Sequence, residues 1–322
     1  MSSEYDSITL IILSQKYLYQ FGGLILIIIG TLSCTMSLIV FSRNILRKSA
    51  CSTYLIALNI SNIITMYLPF LILVLDAGYN IHPTLYSLLF CRFNLYVQFL
   101  FDILCPFYMI LASIDRVLIT SSNARTRQRS THHFAYIYVI SGTLFWMLFQ
   151  THTLVFGSII EYAPNYFLCY FQSGAYLVFI AYYAILIKTI LVPLLLITCG
   201  LWSVKNIRTL RRVRVAPVLS MNRITPAADP HPLLRARDRQ LVRMLLIDII
   251  IYIIFNWAVS VFLMYQQATQ YIIKSSVQNL IEVFIASVST FSNHIPFCIE
   301  CYTNLIVSKT FRNEVKKVLL CK

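Results

Sequence analysis

Seven long apolar stretches, separated by short polar segments, occupy most of this 322-residue chain. Each is close to the roughly 20 apolar residues that a helix needs to cross a bilayer core of about 30 Å. None shows the strict alternation of a half-exposed strand, so the stretches are predicted to be helices. They lie at residues 21–41, 51–75, 88–120, 133–156, 175–204, 241–265 and 277–304. We therefore expect an all-α membrane protein, a seven-transmembrane helix bundle.

The segments outside these spans define the expected organisation of the chain. Residues 1–20 form an N-terminal segment, and residues 21–304 form the seven-helix domain. Within that domain, residues 205–240 make a long connection rich in arginine and proline, with helical extensions expected at both ends. Residues 305–322 are expected to hold a short amphipathic helix, at 308–320, and a tail.

Charge gives the expected orientation. Hydrophobic residues make up 58% of the chain and charged residues only 12%, which excludes a soluble domain of ordinary composition. Lysine and arginine are concentrated at 43–48, 125–129, 205–243 and 309–322, whereas the opposite connections hold little beyond Lys16, Arg92 and Lys274. The positive-inside rule then places the N-terminus outside the cell and the C-terminus in the cytosol, across the plasma membrane. The net charge of +14 is therefore a topology signal, and no nucleic-acid partner is expected.

Eight of the nine cysteines fall into three groups. Cys91 and Cys169 are the two that lie on the outer, oxidising side, so a disulfide between them is predicted. Cys321 lies next to the bilayer at the end of the amphipathic tail and is a candidate for palmitoylation. Five others are interpreted as small packing residues inside the spans: Cys34, Cys105, Cys199, Cys298 and Cys301.

The third span carries the pattern that suggests a family. Cys91 begins it, and Arg116 of the Asp115-Arg116-Val117 sequence follows 25 positions later. Further matches are Trp146 in span four, Pro193 in span five and the Phe311-Arg312 pair that begins the tail helix. Together with the topology, these residues resemble the rhodopsin-like G-protein-coupled receptors, in a divergent, peptide-receptor-like form.

This resemblance implies a function. The family's arginine engages a heterotrimeric G protein, which assigns that role to Arg116, with Asp115 neutralising it at rest. The alternative is an interfacial arginine whose side chain extends to water. The resemblance also implies an extracellular peptide or small-molecule ligand, with a neuropeptide-like molecule favoured.

The chain departs from the family inside the membrane. Cys34 replaces an asparagine of helix one, and Asn62 replaces the aspartate of helix two. In span seven, Glu300 stands where the family has the asparagine of its Asn-Pro-x-x-Tyr motif, and the proline and tyrosine are missing. An acid and an amide have thus exchanged helices, so we predict that Asn62 and Glu300 are neighbours. Glu300 is a candidate ligand for the sodium ion that the family binds there; the alternative is a carboxyl kept protonated by its neighbours.

Polar residues in the outer half of the spans are the ligand-pocket candidates. Gln98 and Asp102 lie four positions apart, so they share a face of span three. Asp102 is open to two interpretations: it binds a cationic ligand group, or it pairs with Lys188 of span five. The remaining candidates are Trp257, Asn293 and His294 on spans six and seven.

Other functions are less favoured by the sequence. A receptor that binds ligand without signalling suits the altered motif around Glu300, and a transporter or channel is a more distant alternative that lacks internal repeats. A retinal-binding photoreceptor is excluded because residues 277–304 contain no lysine. No enzyme is expected, since no nucleophile and base or metal-ligand set occurs at helical spacing, and no cofactor is expected beyond the sodium ion.

Overall fold

The computed structural model describes residues 2–47, 49–121, 123–163, 166–172, 174–215, 232–269, 272 and 274–320. The described chain is almost entirely helical, with one two-stranded antiparallel hairpin.

Eight long or terminal helices form the framework of the described chain, and the first two contain a π-helical turn. Helix α1 (residues 2–42) comprises Ser2–Tyr17, the turn Leu18–Gly23 and Leu24–Ser42, and α2 comprises Ala50–Thr65, the turn Met66–Phe70 and Leu71–Tyr79. Pro69 lies in that second turn, where a residue without an N–H widens the helix.

The remaining helices follow in chain order. They are α3 (Leu88–Thr120), α4 (His132–Phe149), α5 (Ala175–Tyr183, a π-helical stretch Ala184–Leu191, and Val192–Val215), α6 (Pro232–Ala268), α7 (Ser276–Val307) and α8 (Lys309–Leu319). Short helical segments occupy Asn44–Arg47, Pro83–Leu85, Ala124–Gln128 and His152–Phe156. The ends of α5 and α6 are the predicted extensions of the long connection, whose residues 216–231 lie outside the described residues.

Six helical stretches in the described chain are long and apolar enough to cross a membrane: Thr9–Ser42, Ala50–Tyr79, Leu88–Thr120, His132–Phe156, Ala175–Thr209 and Gln240–Ala268. The prediction of an all-α membrane protein with several spans is thereby confirmed. Helix α7 is also long, at 32 residues, but its middle is more polar. The polar residues there are Ser287, Ser289, Thr290, Ser292, Asn293 and His294. A seventh crossing by α7 stays a prediction.

The start of the first helix differs from the sequence analysis, which begins the span at Phe21. The structure begins this helix at Ser2, and its apolar part begins at Thr9. The apolar run Leu10-Ile11-Ile12-Leu13 explains the difference, because it continues a helix more favourably than it would lie in water as coil.

A β-hairpin lies between α4 and α5, where the sequence analysis has only a loop. Strand β1 (Gly157–Ala163) pairs with β2 (Tyr166–Phe171) in antiparallel register. Cys169 of β2 forms a disulfide with Cys91, so the predicted pairing is confirmed. The hairpin is thus attached covalently to the start of α3, and we name this side of the bundle the hairpin end.

The opposite side carries α8. Ser308 caps this helix by accepting a hydrogen bond from the Phe311 N–H at 3.2 Å, and the Phe311 ring packs on Phe41 of α1 with centroids 5.5 Å apart. Phe311 and Val315 are buried while Lys316 and Lys317 are exposed, so α8 has the predicted amphipathic character. Arg116 lies at the same side, which we name the arginine end.

The core runs between the long helices. The most extensive packing joins α6 to α7, α2 to α3, α3 to α5, α7 to α1, and α1 to α2. Helix α3 therefore lies in the middle of the bundle, and α4 packs at its edge against α2 and α3. Side chains on the inner face of α3 are consequently positioned to contact several helices at once.

Candidate functional site

The arginine end holds a closed network around Asp115 and Arg116. The Arg116 side chain is completely buried, at 0% exposure. Its Nη2 lies 3.1 Å from Asp115 Oδ2 and donates to Ser49 Oγ, at the start of α2, at 2.6 Å. Asp115 Oδ1 in turn accepts a hydrogen bond from Ser130 Oγ in the segment that precedes α4. An arginine extending to water would be exposed, so that alternative interpretation is wrong.

Helix α5 reaches the same network from another side. Asn206 Nδ2 donates to Val117 O at 3.3 Å and to Thr120 Oγ1 at 3.4 Å. The end of α3 therefore has polar contacts to α2, α5 and the segment before α4. Such contacts can be exchanged for others without opening an apolar core, which suits a surface that changes partner.

The surface around this network is strongly basic. The segments that contribute Ser49, Ser130 and Asn206 carry seven described arginines and lysines: Arg43, Arg47, Arg125, Arg127, Arg129, Lys205 and Arg208. Side chains of the further arginines at 235–239 lie outside the described residues. A surface of this kind attracts acidic protein segments or anionic lipid headgroups.

A second polar cluster lies inside the bundle, around Glu300. Its Oε2 accepts from Asn62 Nδ2 at 3.3 Å, and its Oε1 accepts from Asn59 Nδ2 at 3.4 Å. The predicted contact between Asn62 and Glu300 is therefore present, and all three side chains are at most 5% exposed. The sequence analysis missed Asn59, although its three-residue spacing from Asn62 places both on one face of α2.

Asp248 of α6 adds a second carboxylate that the sequence analysis left unassigned. It is buried and accepts a hydrogen bond from Thr303 Oγ1 at 3.1 Å. Asp248, Glu300 and Asn62 line one cavity of about 20 Å³, which holds about one water molecule. No basic side chain is among the described residues that line it.

The oxygen atoms around this cavity allow the sodium prediction to be tested for fit. Carboxylate and amide oxygens are suitable ligands for a hard cation, and Asn62 Oδ1 has no hydrogen-bond partner in the described structure. The cavity size and donor types fit one small cation, with Asn62 and Glu300 as the residues that would hold it. Sodium binding stays a prediction.

Asp102 forms an ion pair with Lys188, which is one of the two interpretations that the sequence left open. Lys188 lies in the π-helical stretch of α5, and its side chain is 13% exposed while that of Asp102 is 28% exposed. Tyr252 of α6 and His294 of α7 lie within electrostatic range of Asp102. The pair thus faces the interior between four helices, which is where a ligand entering the bundle would meet it.

The other ligand candidates fall in different places. Gln98 is exposed one turn from Asp102 on the same face, so this face of α3 opens towards the hairpin end. The His294 ring stacks on Phe70 with centroids 4.3 Å apart, and its Nδ1 lies 2.8 Å from Thr290 O. Asn293 beside it is half-buried.

The assignment of Trp257 to the pocket is wrong. Its side chain is 67% exposed on the outer surface of α6, whereas Asn256 is buried and donates from Nδ2 to the Tyr252 hydroxyl at 3.1 Å. Adjacent residues on a helix point about 100° apart. An assignment of the inward position that is wrong by one residue therefore exchanges the buried Asn256 for the exposed Trp257.

The cysteines outside the disulfide behave as packing residues. Cys34, Cys105, Cys298 and Cys301 are buried free thiols, and Cys199 is half-buried. Cys321, the lipidation candidate, lies outside the described residues.

No protein-family model and no curated protein sequence matches this chain.

The ion pair gives a prediction about stability. Lys188→Met alone should lower the free energy of unfolding by about 1–3 kcal/mol, because it leaves the half-buried Asp102 carboxylate without its partner. Replacing both charges, with Asp102→Asn and Lys188→Met together, should recover most of that loss. Thermal unfolding of the two single variants and the double variant in one detergent measures this. If the losses of the two single variants simply add up in the double variant, the two residues are not energetically coupled.

Proposed function

We propose that this chain is a seven-helix receptor of the plasma membrane that binds an extracellular ligand at its hairpin end and activates a heterotrimeric G protein at its arginine end. The observation that carries the proposal is the buried Asp115–Arg116 pair at the end of α3, held by Ser49 and Ser130. A buried arginine that is held by exchangeable polar contacts to Asp115 and Ser49 has the character of a switch element rather than of a membrane anchor.

The hairpin end supports a ligand-binding role. The disulfide fixes β2 to the start of α3, and Arg92 Nε donates to Gly157 O at 3.0 Å, so the hairpin is held beside the bundle by two adjacent contacts. The polar face of Gln98 and Asp102 lies below it. A peptide or small molecule that entered here would meet both charges of the Asp102–Lys188 pair.

The polar cluster around Glu300 lies in the bundle interior, between these two ends. Asn59 and Asn62 on α2, Asp248 on α6 and Glu300 on α7 form one cluster of buried polar groups that brings three helices together around a shared cavity. Packed helices that share such a cluster move together, because separating any one of them leaves a buried carboxylate or amide without a partner. This offers a physical route by which ligand binding changes the arginine end.

A second candidate function is a receptor that binds ligand without activating a G protein. The specific observation in its favour is the sequence at the end of α7, where Glu300, Cys301 and Asn304 replace residues of the family motif. Asn304 is buried in place of the motif's tyrosine.

The two candidates differ in nucleotide exchange. The protein reconstituted in lipid nanodiscs would be mixed with a panel of purified heterotrimeric G proteins, and binding of a non-hydrolysable GTP analogue measured without ligand. The signalling receptor should accelerate exchange on at least one member of the panel. Asp115→Asn should raise this basal rate several-fold, because an uncharged amide holds Arg116 less strongly.

One result of the exchange assay would contradict the signalling proposal. If neither the wild-type protein nor Asp115→Asn accelerates exchange on any G protein while both remain folded, the signalling proposal fails and the non-signalling receptor replaces it.

A further inference from the structure

The segment between α3 and α4 combines an inward serine with a run of outward arginines. Arg125, Arg127 and Arg129 are exposed, and Ser130 directly after them is half-buried. The Ser130 hydroxyl donates to Asp115 Oδ1 at 2.5 Å, so it contacts the carboxylate that holds Arg116. A chemical change at this one oxygen would therefore act directly on the Asp115–Arg116 pair.

We propose that Ser130 is a phosphorylation site for an arginine-directed protein kinase, and that the phosphate weakens the contact between Asp115 and Arg116. The proposal rests on the proposed function in one respect, which is that the arginine end faces the cytosol, where ATP and kinases are found.

The arginines have the spacing that such a kinase recognises. They lie five, three and one positions before Ser130, so in an extended segment they present three guanidinium groups to an acidic substrate groove. Guanidinium groups bind carboxylates through charge-assisted, often bidentate hydrogen bonds. Recognition by charge of this kind needs no apolar anchor, and the exposed side chains of this segment provide none.

The segment is also accessible enough to enter a kinase. The helix Ala124–Gln128 has only five residues, which is marginal for an isolated helix. Its described side-chain contacts are surface ones, including Arg127 Nη1 to Ser121 O at 3.2 Å and the Asn123 cap on the Arg125 N–H at 3.0 Å. Local opening of such a segment costs far less free energy than global unfolding.

The chemical step is an ordinary phosphoryl transfer. Ser130 Oγ attacks the γ-phosphorus of ATP, a bond forms between them, and the bond from that phosphorus to the β–γ bridging oxygen breaks. ADP leaves, and the hydroxyl proton passes to the catalytic base of the kinase and then to solvent. The product is a phosphate monoester on Ser130.

The product is incompatible with the present network. The hydrogen that Ser130 donates to Asp115 is gone, and an ester oxygen cannot donate a hydrogen bond. The phosphate brings a charge of about −1.5 to −2 beside the Asp115 carboxylate, which repels it. The same phosphate competes for the Arg116 guanidinium, so the 3.1 Å contact between Asp115 and Arg116 weakens.

The test uses the full chain in nanodiscs, a purified arginine-directed serine/threonine kinase and ATP. Fragment mass spectrometry should place the phosphate on Ser130. Changing Arg125 and Arg127 together to glutamine should lower the phosphorylation rate by at least about tenfold, since two charge-assisted contacts to the kinase are lost. Arg47→Gln, an exposed arginine at the same end of the bundle, should leave the rate unchanged.

Hydrogen–deuterium exchange then reports on the pair itself. Amides of residues 113–120 should exchange several-fold faster after phosphorylation, and phosphatase treatment should restore the original rate. Ser130→Ala should give a smaller acceleration, because it removes the hydrogen bond without adding a charge.

Three results would overturn the proposal: no phosphate on Ser130, phosphate only on the neighbouring Thr131, or phosphorylated Ser130 with unchanged exchange at 113–120. No G protein is present in this assay. A negative result in this phosphorylation assay therefore does not contradict the proposed signalling function. An absence of nucleotide exchange, in turn, does not contradict phosphorylation of Ser130.

Discussion

Replacing Arg116 by alanine is expected to abolish nucleotide exchange on any G protein that the wild-type protein activates. The buried guanidinium is the cationic group that a G protein would meet once Asp115 releases it, and alanine offers no replacement. The truncation should also lower the free energy of unfolding by about 3–5 kcal/mol, because the Asp115 carboxylate stays buried without its cation. GTP-analogue binding and thermal unfolding, measured on the same preparations, check both parts.

Two further variants make this result interpretable. Arg47→Ala removes an exposed arginine at the same end and should change exchange and stability little. Asp115→Asn with Arg116→Gln neutralises both partners and should fold better than Arg116→Ala, yet remain inactive. A folded Arg116→Ala or double variant with the wild-type exchange rate would show that Arg116 is not the coupling residue.

Exchanging the two members of the interior pair should restore what each single change removes. Glu300→Asn leaves Asn59 and Asn62 without their carboxylate acceptor, and Asn62→Asp places a carboxylate beside Glu300 and Asp248. Each change should lower the free energy of unfolding by about 1–3 kcal/mol. The double variant, Asn62→Asp with Glu300→Asn, should recover more than half of the summed loss, because an acid–amide pair is present again in the opposite sense.

A double-mutant cycle on thermal or denaturant unfolding measures this coupling. The control pairs Glu300→Asn with Asn94→Asp, a buried amide of α3 near the hairpin end, and its losses should add. The same additivity in the Asn62 and Glu300 cycle would show that their contact does not contribute to the fold. The basal rate of nucleotide exchange, measured in parallel, should rank the variants in the same order as their free energy of unfolding.

Much of the helical framework could be predicted from the sequence, because long apolar runs have few other solutions in a bilayer. The third span is predicted at 88–120 and α3 is Leu88–Thr120. The cysteine pairing also followed from topology, since Cys91 and Cys169 are the two expected outside. The contact between Asn62 and Glu300 was predicted because an acid and an amide had exchanged positions relative to the family pattern.

What the sequence did not predict depends on tertiary packing or on short local signals. The contacts of Ser49 and Ser130 with the Asp115–Arg116 pair join segments 67 and 15 residues away, and no local pattern marks either serine. Asp248 meets Thr303 because α6 packs on α7, which hydrophobicity alone does not specify.

Two local errors have simple causes. Trp257 was assigned inward because a register error of one residue rotates a helix position by about 100°. The long apolar runs do not predict the hairpin because its strands, of seven and six residues, are too short to cross a bilayer. Pro164-Asn165, between two runs rich in aromatic and β-branched residues, is nevertheless a recognisable turn signal.

The most direct test of the central claim is the sidedness of the two ends of this chain. Six crossings would leave both ends on the same side of the membrane, whereas a seventh crossing by α7 places them on opposite sides. Epitope tags at residues 1 and 322 would be detected with antibodies in intact and in permeabilised cells. With seven crossings, the tag at residue 1 is detected in intact cells and the tag at residue 322 only after permeabilisation. Detection of both tags under the same condition, or of the second tag alone in intact cells, would contradict it.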